Sequence, residues 1–214
     1  VPELAKKFEE KGQVFLGWAE PGLVYLFAQK PIQSAADMNG VKLWAWEGDP
    51  LAAEVVKAFK VAPVNIAVPD VLMALQTGML NAIYAPPLAA MALQWNTKVK
   101  YMLNTPLTNS TGGVLVTKKA WDQISAADQA LVRANFDAAL GKLTAVTRRQ
   151  NTEAIEKFKQ LGMKMEPLQA ASLEEMTQTS KGIRPALVGK LYSAELLKRV
   201  EGYIEEFRKK NPKK

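Results

Sequence analysis

An α/β fold with a mostly parallel sheet is predicted by three features of the sequence. Short runs rich in β-formers alternate with amphipathic helical stretches along the first half of the chain. One helical pattern runs from Ser125 to Leu161, about three times the mean helix length, so it either kinks or crosses more than one lobe. No repeat, low-complexity segment or clean linker interrupts the 214 residues. Two lobes whose segments interlace would leave no single boundary.

Residues 3–11 read as a helix. "QVFLGW" (13–18) and "LVYLFAQ" (23–29) read as two short strands, set apart by "AEPG". "SAADMNG" (34–40) reads as a one-turn helix, with Ser34 capping, Asp37 three residues on and Gly40 closing it. "VKLWAWEGDP" (41–50) reads as a strand running into a helix cap. Lys42, Trp44 and Trp46 fall on one face of that strand, and Val41, Leu43 and Ala45 on the other. Asp49 at N-cap and Pro50 at N1 start a helix that runs to about Lys60. "APVNIAV" is extended. Pro69-Asp70 opens a helix closed by Gly78. "NAIYA" (81–85) is a buried strand, "PPLAAMALQW" a helix, and "GGVLVTK" (112–118) a further strand. Ser125 caps the long helix, with Asp128 three residues on; Gly141 interrupts its pattern and Gly162 stops it. "MKMEPL" is a short strand, and two or three amphipathic helices finish the chain.

Composition narrows the chemistry. The hydrophobic share of 48% supports a sizeable core. There is no cysteine and no histidine. Disulfides, thiolate nucleophiles, zinc–cysteine sites, imidazole metal sites and Ser-His-Asp triads are therefore excluded. The side chain best suited to general base work near neutral pH is also missing. The net charge is +7. Its one dense cluster, "FRKKNPKK", follows the last helix and reads as a solvated terminus rather than a docking patch. No helix-turn-helix, RNP or zinc-finger pattern accompanies it, so nucleic acid is not an expected partner. There is no run of 18 apolar residues. The opening "VPELAKKFEEKG" is polar rather than a secretory signal, as a mature exported protein would also be.

Motifs for chemistry are sparse. Neither G-x-x-x-x-G-K-[ST] nor G-x-G-x-x-G occurs. "TGG" (111–113) could offer backbone N–H groups to an anion but reads as a plain turn. "GDP" (48–50) reads as a capped helix start, with Asp49 already on the helix N-terminus. Glu174 and Glu175 read as solvated helix carboxylates, and no spacing suggests a metal site. No cofactor and no enzymatic activity are expected.

"KPIQSAADMNGVKLW" resembles the "rPI-x-s-x-eDlkGlKiR" segment of TRAP-transporter solute receptors, the DctP family. "VPDVLMALQTGMLNAIYAPP" resembles the same family's "ALQtGvvDGqeNP" segment, and "VLVTKKAWDQISAADQALV" the segment leading into its lobe-crossing helix. The likeness runs in order from about Phe8 to Leu168. It implies a periplasmic-binding-protein-like fold of two interlaced α/β lobes, crossed by a long helix and closing on a small organic solute, usually a carboxylate. It also implies a periplasmic location and delivery of the solute to the membrane subunits of a TRAP transporter, with no chemistry. Carried onto this sequence, residues 1–21 and 110–149 form a remnant of the N-terminal lobe (lobe I). Residues 22–109 and 150–214 form the C-terminal lobe (lobe II) with the terminal helices.

Two departures follow from the resemblance. The family has a further stretch upstream of residue 1 that carries the first strands and helix of the N-terminal lobe. A truncation, a cleavage, a partner chain or a reduced variant would each explain an incomplete lobe. Unpaired sheet edges are a hazard that a homodimer or a strand exchange could cover. The polar ligand contacts also differ. Trp44 stands at the family's "lKiR" arginine, Ala85 at the asparagine of "qeNP", and Val24 at the arginine of "G-f-R". Without an arginine fork, an unpaired carboxylate costs on the order of several kcal/mol to bury. A typical dicarboxylate or sugar acid is therefore expected to bind poorly. Trp44, Tyr84 and Trp46 are expected to wall the cleft, beside Val24, Ala85 and Thr111. Such a wall favours an apolar or aromatic solute, or a cation held with help from Glu47 or Glu20. The alternative is a non-transporting interaction or sensor module that has lost the ligand.

Overall fold

The computed structural model describes residues 2–46 and 50–212. The chain opens with α1 (Pro2–Glu10) and passes into β1 (Gln13–Ala28). β2 (Lys42–Ala45), α2 (Pro50–Ala58), β3 (Ala62–Asn65), α3 (Val71–Thr77), β4 (Ala82–Ala85) and α4 (Pro87–Ala92) follow. Then come β5 (Tyr101–Leu103), β6 (Thr108–Thr117), α5 (Lys118–Trp121), α6 (Ala126–Gln160) and β7 (Lys164–Glu166). α7 (Ala170–Ile183) and α8 (Ala194–Lys210) close the described chain. The Ser125 cap is seen as predicted, its hydroxyl accepting from the Asp128 N–H at 3.2 Å at the head of α6, whereas the turn after Ser34 starts from Ala35 and Asp70 precedes α3 without a side-chain cap bond.

The strands run in the order β3-β2-β4-β1-β5-β7, with β6 paired to β1 off that path. The sheet is mixed, not mostly parallel. β2 is parallel to β3 and β4, and β5 to β7, but β1 is antiparallel to β4, β5 and β6. The helical crossovers α2 and α3 impose the parallel pairs of β2 with β3 and β4, and the long connection through β6, α5 and α6 that of β5 with β7, while β1 enters from the opposite direction.

The two strands expected at 13–18 and 23–29 are one strand of 16 residues. "EPG" reads as a break, yet β1 passes through it with a register shift between Ala19 and Gly22. Bulges are where a strand tolerates proline and glycine. β1 therefore has two regimes. Gln13–Ala19 pairs only with β6 and forms a two-strand ribbon, while Tyr25–Ala28 lies inside the main sheet.

Each regime has its own packing. Phe27, Trp44, Val71, Leu75, Ile83 and Phe158 fill one side of the main sheet. Leu26, Ile32, Met38, Leu43, Val56 and Ala82 fill the other. On the ribbon, Val14, Leu16 and Trp121 bury one face against Val132 and Phe136. α6 serves both: Val132 and Phe136 pack on the ribbon, and Ile155 and Phe158 on the main sheet. Its 35 residues run unbroken through Gly141.

Candidate functional site

β2, β3 and β4 are neighbours and parallel, so their carboxyl ends lie side by side. In open α/β sheets that edge is where a crevice for ligands forms. Trp46 follows β2, Ile66 follows β3 and Pro86 follows β4.

A cluster of four aromatic rings stands there. The Trp44 ring is its hub, with centroids 5.2 Å from Trp95, 5.5 Å from Tyr84 and 5.6 Å from Trp46. Such spacings bring stabilisation beyond burial alone. Trp44 is only 3% exposed, and its indole N–H donates to the Ile66 carbonyl at 3.0 Å. Its polar handle is satisfied inside the core. Trp44 therefore lies behind the wall it was expected to line, because the sheet, α3 and α4 close over its ring. Trp46 is 57% exposed and presents the solvent face of the cluster. The Trp46 backbone N–H donates to the Tyr84 hydroxyl at 3.2 Å, which fixes the two against each other.

The other expected positions separate into two groups. Val24 and Ala85 are buried and apolar, and Ala85 pairs with Tyr25 across the sheet. Glu20 and Thr111 sit where β1 and β6 cross between ribbon and sheet. Thr111 is exposed there. Gly112 and Gly113 are paired with Ala19 and Trp18, so "TGG" is strand rather than turn. Glu47 and the Gly48-Asp49 cap lie outside the described residues.

Glu20 is already engaged. The Arg148 guanidinium holds it as a fork, Nε donating to Oε1 at 2.9 Å and Nη2 to Oε2 at 2.8 Å. The hydrogen bond from Arg148 holds the Glu20 carboxyl below the ordinary glutamate value; partial desolvation opposes this, and the charge of Arg148 and a hydrogen bond from Asn109 add to it. The same carboxylate raises the pKa of Arg148. A crevice of about 340 Å³ runs past this pair, lined by Tyr25, Asn109, Arg148 and Thr152 among others. Another of about 390 Å³ lies under α2, between Ala53, Val56 and Pro63.

Arg148, Asn151 and Trp95 were not singled out by the sequence reading. A usable signal existed for two of them: "RRQN" (148–151) places a polar run midway along the long helix, where a lobe-crossing helix must meet backbone. The arginine count carries further weight. The first arginine of the chain is Arg133, so no strand of the main sheet carries a guanidinium. Among the described residues no group of His, Cys, Asp or Glu could hold a metal ion, and no helix is long and apolar enough to cross a membrane.

The model of the family described as bacterial extracellular solute-binding protein, family 7 (DctP), matches residues 1–187. The C4-dicarboxylate-binding periplasmic protein DctP of Rhodobacter capsulatus is 26% identical over 163 residues, which cover 74% of this chain and 47% of that protein. Two solved structures share the fold. The TRAP periplasmic solute binding protein of Desulfovibrio salexigens, with bound orotic acid, has a TM-score of 0.84 at 20% identity and covers 97% of this chain and 67% of its own. That of Haemophilus influenzae, with bound L-gulonate, has a TM-score of 0.86 at 18% identity and covers 96% and 66%. The chain spans less than half the length of the curated relatives it matches.

Proposed function

This chain belongs to the bacterial extracellular solute-binding proteins of family 7, and we propose that it is the solute-recognising part of a TRAP-type periplasmic receptor with an altered ligand preference. Its ligand is a small apolar or aromatic solute, or another organic solute that is not a dicarboxylate, held between two lobes. The protein delivers this solute to membrane subunits and does no chemistry on it. The ribbon with the first part of α6 belongs to lobe I, and the main sheet with the last part of α6 to lobe II. Borders at 21/22 and 109/110 are supported by the register shift of β1 between Ala19 and Gly22.

One observation carries the ligand class: no strand of the main sheet has an arginine, while Trp46 is exposed where three parallel strands end, with the half-buried Tyr84 holding its backbone N–H. The one arginine fork at the crossing, Arg148, is taken by Glu20. A carboxylate entering this edge would lose water without gaining a bidentate partner. A ring laid on Trp46 loses little and gains stacking. Glu20 is likewise committed, which leaves a cationic ligand without that counter-charge.

The test uses ligands that differ only in the acid group. Orotic acid, the ligand of the Desulfovibrio salexigens protein, is uracil bearing a carboxylate. Titration of tryptophan fluorescence should show uracil bound at least as tightly as orotate, and Trp46→Ala should abolish the signal. Tighter binding of orotate, malate, succinate or sialic acid would overturn the altered-pocket reading. Trp46 is the right position to change, because Trp44→Arg would bury a charge in the core.

Within the same proposal, a second copy of the chain covers the ribbon. A second reading, an interaction or sensor module without ligand, is favoured by one observation: the ribbon's outer edges pair with no other strand among the described residues. Native mass spectrometry separates the two. A ligand adduct that leaves on unfolding supports the receptor, and a bare assembly supports the module.

A further inference from the structure

The bulge of β1 is held from α6 by two side chains one turn apart. Arg148 forks onto Glu20, and Asn151 grips the next residue, its Nδ2 donating to the Pro21 carbonyl at 2.8 Å. Residues three apart share a helix face, so one face of α6 meets two consecutive residues of the strand. Gly22 completes the fit. It has φ +118°, and a Cβ there would lie 2.5 Å from Asn151 Nδ2.

Asn151 does more than hold the strand. It is 8% exposed, and both donors of its amide and one acceptor site are used. Nδ2 also donates to the Thr147 carbonyl at 3.0 Å, and Oδ1 accepts from the Leu88 N–H at 2.9 Å. Leu88 is the second residue of α4, so its N–H is a first-turn donor without an acceptor in its own helix. Pro86 and Pro87, just before it, follow the end of β4. One buried amide thus joins three segments: the strand crossing, the long helix, and the start of the helix that leaves the aromatic edge.

We infer that Arg148 and Asn151 form a clasp that sets how the ribbon is carried on the main sheet, and that Asn151 ties this setting to the segment leaving the aromatic edge. Both are positioning residues. Any change in angle at the crossing must either break the Asn151 amide bonds or carry Leu88 with it. The clasp itself is independent of any ligand. That it positions a ligand wall rests on the receptor reading above, and the experiment is chosen so that either can fail alone.

The test is amide hydrogen exchange on the full chain and three variants, with no ligand added. In Asn151→Ala the Leu88 amide should exchange roughly tenfold faster, and those of Gly22 and Leu23 should accelerate too. The amides of Phe27 and Met102, deep in the sheet, should not change. Asn151→Asp keeps an acceptor for Leu88 and loses both donors, so Leu88 should stay slow while Gly22 and Leu23 accelerate. Arg148→Gln, at an exposed position, should speed Gly22 and Leu23 a few-fold and leave Leu88 unaltered. The clasp is overturned if Arg148→Gln moves none of these amides, or if Leu88 responds alike in Asn151→Asp and Asn151→Ala. Uniform acceleration in both Asn151 variants would also overturn it, since it would show general loosening rather than a local tie.

Discussion

From Tyr25 to Ala28, β1 lies inside a sheet with hydrophobic clusters on both faces; from Gln13 to Ala19 the same strand has one clustered face and one neighbour. The first region is closed by its own chain. α3, α4 and the end of α6 cover one side, and Leu26, Met38, Leu43 and Val56 pack on the other. The ribbon has α6 on one face, and on the other Phe8 of α1 stacks on Phe15, with Trp18 beside it. Leu115 remains exposed there, as do Leu131 and Leu143 on the first half of α6. An isolated two-strand ribbon is marginal in water. The contrast teaches that, among the described residues, one core is finished on both faces of its strand and the other on one face.

The largest effect expected from that contrast lies in the finished core. Phe27 and Phe158 are fully buried and meet edge to face at 5.8 Å. Phe158→Ala should cost about 3–5 kcal/mol, as large cavities do, measured by urea unfolding. The ribbon's amides should meanwhile exchange faster than those of Phe27, Ile83 and Met102 even in the parent chain, because its ladder is edge on both sides. Equal protection in ribbon and sheet would break the comparison at its root.

Next in size is the joint between the regions. Gly22→Ala meets a left-handed backbone and the Asn151 amide together. That amide is pinned by three hydrogen bonds and cannot step aside cheaply. A loss of about 1–3 kcal/mol is expected. A neutral result by the same urea assay would mean that the joint is looser than its geometry.

The sequence made the finished region legible and the joint illegible, for a physical reason. Period-two and helical patterns report on burial, so the strands ending at Ala45 and Ala85 and the helix from Ser125 could be read from them. Trp44 and Trp46 show the limit. Alternation puts them on one face, but only the crossing of α3 and α4 decides that Trp44 is sealed and Trp46 is open. The joint depends on contacts over 128 and 130 residues, Glu20 with Arg148 and Pro21 with Asn151. No local pattern encodes those, and "EPG" read locally as a break.

A smaller effect is expected from the ion pair, with a pH signature. Glu20 has a folded pKa below its unfolded value, first because Arg148 hydrogen-bonds to its charged form. The pair thus stabilises the fold above the ordinary glutamate pKa of about 4.3, and its contribution is lost as pH falls through the lower folded value. Glu20→Gln should lower the urea midpoint slightly at pH 6–7, and the two proteins should converge as the pH drops below about 4. A gap that stays constant with pH would show that Arg148 holds Glu20 without discriminating its charge.

The smallest effect on stability should fall on the unfinished face, and there it separates stability from assembly. Leu115 is exposed on the outward side of β6, near Phe15 across the ribbon. Leu115→Thr places a β-branched, strand-favouring residue in β6 and removes a partly exposed apolar side chain. The urea midpoint should change by less than about 0.5 kcal/mol in stability terms. If a second copy covers the ribbon, sedimentation should show the parent chain as a dimer and the variant shifted toward monomer at equal concentration. If both sediment as monomers, no second copy completes this face. If both remain dimers, the contact lies elsewhere, with the exposed Tyr203 and Phe207 of α8 as the next apolar surface to change. An equal loss of stability and association would instead mean that Leu115 is part of a core already closed, and the contrast between sheet and ribbon would have to be withdrawn.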